Sequence, residues 1–369
     1  MKIKRIETLP LTAKMEVPLK IATTVFTSSS ALLVRVITDE GLVGVGEALV
    51  RTGPKATKHI VDDLLAPRLL GKDPLDIAGL WWEMFSAMRT RGHTKGHFIE
   101  AISAVDVALW DIAGKAKGLP VYKALHGFGR QTLPAYASSI FMGSVREMEA
   151  QTQRFLDLGY KAMKIKIGMG IDRDVEAVRS IRSLVGGEIK LMVDANSVYD
   201  AATAVRLGRK LEKYDLEWFE EPVPPYDLQG YRKVKYGQAI PIAGGEGEFA
   251  LYGFRDLLDT GAIDILQPDL GRVGGFTEAM RISALLQAHN LLFTPHTGMC
   301  SGVNIVAAMH FAAAAPQFYM FEFMEIEHPL LEIFTTPLPR PSVGEINMPD
   351  LPGLGVELDM SKIERYVER

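Results

Sequence analysis

The chain has 369 residues, 47% of them hydrophobic, with 41 basic and 45 acidic side chains and a net charge of −4. That is enough chain for a large core and two domains, and its mild acidity argues against nucleic acid or an anionic membrane as a partner. A single cysteine, Cys300, excludes an internal disulfide framework and a cysteine-rich zinc site.

The start, Met1-Lys-Ile-Lys-Arg-Ile, is charged, with no apolar leader core. No run reaches the roughly 18 apolar residues of a membrane span, so a cytoplasmic protein is expected. The first 40 or so residues alternate apolar and polar, notably Ala31-Leu-Leu-Val-Arg-Val-Ile-Thr, and Asp39-Glu-Gly supplies a turn. This predicts an antiparallel meander. Helical patterns follow over roughly 55–66, 74–88 and 98–117, the last stopped by Gly118 and Pro120. Residues 1–127 therefore read as an α+β capping domain.

From about residue 130 the rhythm becomes strand–helix repetition. Strands are expected near 133–138, 161–167, 189–194, 216–220, 240–244, 263–267, 291–295 and 318–322, with seven full helices placed between them. This is an α/β pattern, a (β/α)8 barrel over 128–323. The segment 324–369 contains Pro337, Pro339, Pro341, Pro349 and Pro352, and is expected to return to the capping domain.

Three acidic residues close successive apolar runs: Asp194 after Ile189-Lys-Leu-Met-Val, Glu220 after Leu216-Glu-Trp-Phe, and Glu246 after Ile240-Pro-Ile-Ala-Gly-Gly. In a parallel barrel the strand ends share one rim, where such folds carry their working residues. Three carboxylates there ask for a hard cation, and oxygen-only ligands suit magnesium. The other ends bear Lys164 and Lys166, Asn196, Glu221, Glu248, Asp269, His296 and Glu322. Lys164 and Lys166, two apart, face one side of their strand, and like charges in a confined site lower each other's pKa toward that of a base. Asp269 and His296 end adjacent strands, and a carboxylate beside an imidazole fixes its tautomer and strengthens it as a base. Asn196 is expected to hydrogen-bond a ligand or a bound water. Glu221 and Glu248 read more readily as rim charge. His59, His126, His289 and His310 fall away from strand ends and read as structural. Asp106 and Asp111, in an apolar helix, read as hydrogen-bonding groups.

Together the motifs resemble the mandelate racemase subgroup of the enolase superfamily. They are Lys164-x-Lys166, Val193-Asp194-Ala-Asn, Trp218-Phe-Glu-Glu-Pro222, Ala243-Gly-Gly-Glu246, Gln267-Pro-Asp269 and Thr294-Pro-His296. The capping helix from Ser103 to Lys115 and Pro352-Gly-Leu-Gly-Val in the tail extend the match. No single motif is specific, but the combination is. The resemblance implies Asp194, Glu220 and Glu246 as Mg2+ ligands. It implies Lys166 as the base on one face, with Lys164 lowering its pKa, and the Asp269–His296 pair as acid/base on the other. Glu322 would be the acid that hydrogen-bonds the substrate carboxylate. The superfamily uses a Lys or His base with magnesium stabilising an enediolate. A symmetric homo-oligomer is also implied.

In the resembled family two amino-terminal loops cover the barrel mouth and set specificity. Here they fall near 18–27, which includes Phe26, and 48–54, which includes Arg51. Arg51, with Arg89, Arg91 and Lys95 from a basic glycine-containing segment, is expected to clamp a second carboxylate such as an aldarate carries. Ile21, Val25 and Phe26 pull the other way, making the first loop less polar than a polyol requires. The reading is a magnesium-dependent acid-sugar dehydratase, a lyase giving a 2-keto-3-deoxy acid. A racemase or epimerase of a 2-hydroxy acid, or a sugar-lactone cycloisomerase, shares its first half-reaction. A Schiff-base lyase acting through Lys166 leaves the carboxylate triplet unexplained. A non-catalytic binding protein is hard to square with ionisable groups at seven successive strand ends.

Overall fold

Residues 1–368 are described by the structure, a computed structural model. Strands β1 (Ile3–Lys20), β2 (Val25–Thr38) and β3 (Val43–Ala48) form an antiparallel three-stranded sheet in that order. β1 pairs with β2 from Ile3↔Thr38 to Lys20↔Val25, slipping register between Lys14 and Leu19. The segment expected as a first loop is therefore the far end of a long hairpin, and Ile21 N–H donates to the Thr24 carbonyl at 3.0 Å in its turn. Alternation of apolar and β-branched residues holds the segment extended that far.

The helix His97–Lys117 packs against β3. Gly44 and Gly46 permit the close approach: a Cβ on either would stand 2.0 Å from the Ala108 or the Ala104 carbonyl oxygen. Leu32, Val34 and Val36 of β2 bury with Trp81, Phe85, Ile102 and Leu109 as the core of this domain. Asp106 accepts from Thr277 N–H and Oγ1–H at 3.0 and 2.5 Å, tying the helix to the barrel. Asp111 accepts from Val45 N–H and Leu354 N–H at 2.9 and 2.8 Å, tying it to the sheet and the tail.

From Thr132 the chain builds the barrel. Its strands are β4 (Thr132–Ile140), β5 (Ala162–Lys166), β6 (Lys190–Asp194), β7 (Leu216–Glu220), β8 (Ile242–Gly244), β9 (Ile265–Leu266), β10 (Leu292–Phe293) and β11 (Phe321–Met324). They pair in parallel in that order, β11 lies beside β4, and the Phe293↔Phe318 bridge closes the ring. The last strand, expected over 318–322, is ordered over 321–324, because Phe318 pairs with β10 before Phe321–Met324 step onto β4. Helices follow the first seven strands, several started by side-chain caps at Ser144, Asp200, Asp227 and Ser301. Among the described residues, β11 is followed by a turn at Pro329–Leu331 rather than a barrel helix. The tail then adds β12 (Glu345–Asn347) antiparallel to β4 and returns to the capping domain, where Val121 N–H bonds the Gly353 carbonyl and Leu11 bridges Val367.

Alternation along the strands turns Tyr136, Ala162, Met192, Trp218, Ala243, Ile265 and Met320 into the barrel as an apolar plug. Two residues further along the same strands stand Ser138, Lys164, Asp194, Glu220, Gln267 and Glu322, all buried. The site rests on this polar layer. No described helix is long and apolar enough to cross a membrane.

Candidate active site

A cavity of about 460 Å³ opens at the strand ends beneath the hairpin tip. Lys166, Asn196, Glu221, Glu246, His296 and Glu322 line it from the barrel. Leu19, Ile21, Thr23, Thr24 and Phe26 line it from the hairpin, and Arg51 and Thr52 from the segment after β3. Asp194, Glu220, Lys164 and Asp269 lie beneath, sealed from solvent. The hairpin tip seats on the loop after β5 because Gly168, at φ 120°, has no side chain: a Cβ there would lie 2.5 Å from Ala22 Cβ.

Lys164 anchors the layer under the cavity. Its Nζ donates to Glu220 Oε1 at 2.6 Å and Glu322 Oε1 at 2.7 Å, and lies 3.7 Å from Asp194 Oδ2. Glu220 Oε2 accepts from Gln267 Nε2 at 2.6 Å and from the Trp218 indole at 3.0 Å. Burial pulls the Lys164 pKa down, but Glu220 and Glu322 outweigh it and hold the ammonium well above its ordinary value. The interior thus places carboxylates, not a second ammonium, directly against Lys164. Glu322 is the converse. Burial pushes it up, yet Lys164 and His296 bring it below the usual carboxylate range. Its oxygens also accept from Ser138 Oγ and Thr297 N–H, each at 2.8 Å. As the side chains stand, both Glu322 oxygens are taken up by donors within the protein.

His296 Nδ1 lies 2.7 Å from Asp269 Oδ2, and its Nε2 is 3.3 Å from Glu246 Oε2. Burial lowers the imidazole pKa, but Glu246, Glu322 and the Asp269 hydrogen bond raise it above its ordinary value. Burial raises Asp269, but His296 holds it below its own. Lys166 enters the cavity from β5, with Nζ 2.5 Å from Asp194 Oδ2. Asn196 donates to Asp194 through its backbone N–H at 2.8 Å and its Nδ2 at 3.2 Å.

Asp194 and Glu220 are register partners on β6 and β7, and Glu246 follows β8, the next strand. Burial and Asp194 push Glu220 up to about 7, while burial, Glu246 and Asp194 push Glu221 well above its ordinary value. Such crowding of like charge is what a divalent cation relieves. The buried Asn196 Oδ1 has no hydrogen-bond partner and adds another hard donor. As the side chains stand, Asp194 is turned to Lys166, and Glu246 to His296 and, at 3.7 Å, Arg51. No three His, Cys, Asp or Glu side chains among the described residues are gathered to hold an ion in that arrangement. By donor chemistry the oxygen-only set fits a magnesium ion.

Residues 147–362 match the family described as enolase C-terminal domain-like, and residues 5–126 the mandelate racemase/muconate lactonizing enzyme amino-terminal domain. The chain belongs to the enolase superfamily, in its mandelate racemase subgroup. It is 34% identical to D-galactarolactone cycloisomerase of Agrobacterium fabrum over 99% of both chains. It is 32% identical to arabinonate dehydratase of Saccharolobus solfataricus, over 89% of this chain and 88% of that one. A racemase from Streptomyces coelicolor, solved with bound magnesium, superposes with a TM-score of 0.91 at 31% identity, over 99% of this chain and 100% of that one. This superfamily member is thus an enzyme with dehydratase, cycloisomerase and racemase relatives.

The enolase-superfamily site departs from the sequence expectations at its edges. Arg89 does not reach the cavity. Its guanidinium lies 4.9 Å over the Trp82 ring, because the helix Ile77–Ser86 offers an exposed aromatic face close by. Arg91 is likewise absent from the cavity wall, and Lys95 is drawn to Glu248 at 2.7 Å. Of the proposed clamp only Arg51 arrives, 5.9 Å over the Phe26 ring and bonded to the Gly298 carbonyl at 3.0 Å. Arg272, not singled out in the sequence, also lines the cavity and is held by Glu100 at 3.2 Å and the Glu246 carbonyl at 2.9 Å. Glu221 is buried at the cavity rather than on a solvated rim. Ser138 and Gln267 carried a usable signal, since each stands two residues beyond a plug residue, in phase with Lys164 and Glu220. Arg272 carried none, because nothing local marks a loop residue that points at a distant strand end.

Proposed function

We propose that this enzyme removes the proton α to the carboxylate of an acid sugar and expels the β-hydroxyl as water, giving a 2-keto-3-deoxy acid. One observation carries it: Lys166 and His296 reach the same cavity from separate strands, with a cation-suited carboxylate set between them. Lys166 takes the α-proton, and the C–H electron pair becomes the new carbon–carbon double bond. His296, held by Asp269 through Nδ1, donates from Nε2 to the departing hydroxyl, and the resulting enol tautomerises to the ketone. Lys164 holds Glu220 and Glu322 in place beneath the reacting carbons. A magnesium ion held by Asp194, Glu220 and Glu246 would neutralise the charge that builds on the substrate carboxylate. Arg51, Phe26 and Asn196 would bind the substrate, Arg51 at the end remote from the reacting carbons.

Cycloisomerisation of a sugar lactone is the second reading, favoured by the apolar wall of Leu19, Ile21, Phe26, Phe141, Met299 and Met324. Such a wall suits a ring-closed substrate with fewer free hydroxyls. Both readings begin with the same proton abstraction. Incubation with magnesium and a panel of aldonates, aldarates and their lactones separates them: semicarbazide traps a 2-keto acid, and NMR detects an isomerised lactone. Solvent deuterium entering the α-carbon without keto product would overturn the dehydratase reading.

A further inference from the structure

The capping domain reaches the His296–Asp269 pair through one buried carboxylate. Glu47, on β3, is 1% exposed. It accepts three hydrogen bonds at the start of the helix Gly302–Ala314: from Ser301 N–H at 2.7 Å, Ser301 Oγ at 2.6 Å and Asn304 N–H at 2.8 Å. Ser301 is the N-cap of that helix and Asn304 its third residue. In a capping box the third residue's own side chain reaches back to the N-cap N–H. Here a glutamate from the other domain does so, which leaves the Asn304 side chain free to turn inward. Its Nδ2 donates to Asp269 Oδ1 at 3.0 Å, and Gly271 N–H donates to the same oxygen at 2.9 Å. Gly271 is itself tied to the capping domain, since its carbonyl accepts from Leu49 N–H at 3.0 Å. With Oδ1 claimed twice, Asp269 presents Oδ2 to His296 Nδ1.

We propose that Glu47 and Asn304 are positioning residues that hold Asp269 in the rotamer fixing the His296 ring, so that acid/base competence depends on a seated capping domain. This rests on His296 being the acid/base group of the reading above, but it can be tested without substrate. In protein labelled with 15N-histidine, with a His296→Gln variant to assign the signal, wild type should show a protected His296 Nδ1–H resonance. Asn304→Ala and Glu47→Gln should lose or broaden it while circular dichroism remains that of wild type. An unchanged resonance in the folded variants overturns the proposal. If Glu47→Gln does not fold, Asn304→Ala, which leaves Glu47 in place, decides alone. With a substrate in hand, kcat should fall about 10- to 100-fold, as when groups orienting a histidine are lost, with KM within about twofold. A loss confined to KM also overturns it. If wild type turns over no acid sugar, the reading above fails while the resonance still decides this inference.

Discussion

Lys164 Nζ lies 2.6 Å from Glu220 Oε1 with both side chains at 0% exposure, so the barrel floor contains an ion pair that water does not reach. Removing one partner of such a pair leaves an uncompensated charge. Lys164→Met should therefore cost about 3–5 kcal/mol of stability. Lys166→Met should cost less, because Asp194 keeps Lys164 at 3.7 Å and both hydrogen bonds from Asn196, while abolishing turnover. Urea unfolding at pH 7.5 checks this, and equal destabilisation by the two changes would contradict the division of labour.

Crowding among Asp194, Glu220, Glu221 and Glu246 predicts stabilisation by a divalent cation. Magnesium at a hundredfold excess over its Kd should add about 2.7 kcal/mol, seen as a rise in Tm that a chelator reverses. Asp194→Asn and Glu246→Gln should each blunt the rise. A wild-type Tm indifferent to magnesium would remove the three carboxylates from the role of metal ligands.

Acid should weaken the fold through two buried imidazoles. His310 accepts from Tyr122 N–H at 3.2 Å through Nδ1 and reaches the Leu354 carbonyl at 3.1 Å through Nε2, an arrangement that needs the neutral ring. Burial pushes its pKa down to about 4, and burial does the same to His328. Both folded values lie below the unfolded one near 6.5, so the unfolded chain binds the protons first as pH falls. Their stability contribution is complete above about pH 6.5 and declines toward about pH 4, at about 1.4 kcal/mol per pH unit per proton. His310→Gln should flatten the decline by one proton's worth. Urea titrations at pH 7, 6 and 5 measure the slope, and an unchanged slope would rule His310 out as a source.

Gly168 predicts a separable effect on the mouth of the site. Gly168→Ala adds both a strained positive φ and a clash with Ala22, costing about 1–3 kcal/mol. The hairpin tip should lift, so limited proteolysis should cut within residues 20–25 sooner than in wild type, and KM should rise more than kcat falls. A variant with wild-type protease resistance would show that the tip is held elsewhere.

Much of this site is legible in the sequence. Asp194 and Glu220 end the observed β6 and β7, and Lys166 ends β5, where apolar runs and their terminating charges had placed them. Two-residue alternation also put Lys164 and Lys166 on one face. The clamp is not legible there, because Arg89 and Lys95 are long, flexible cations whose partners, Trp82 and Glu248, cannot be inferred from a run of local charge. Glu47 carries no local signal, because its role depends on a helix start 254 positions away.

The sequence by itself determined which charged group closes each strand, and hence the barrel, its rim and the carboxylate set, because strand period and strand ends are local properties of the chain. Only the tertiary structure decided the partner of each group. Lys164 and Glu322, 158 positions apart, meet at 2.7 Å in a buried layer, where the low dielectric strengthens their attraction.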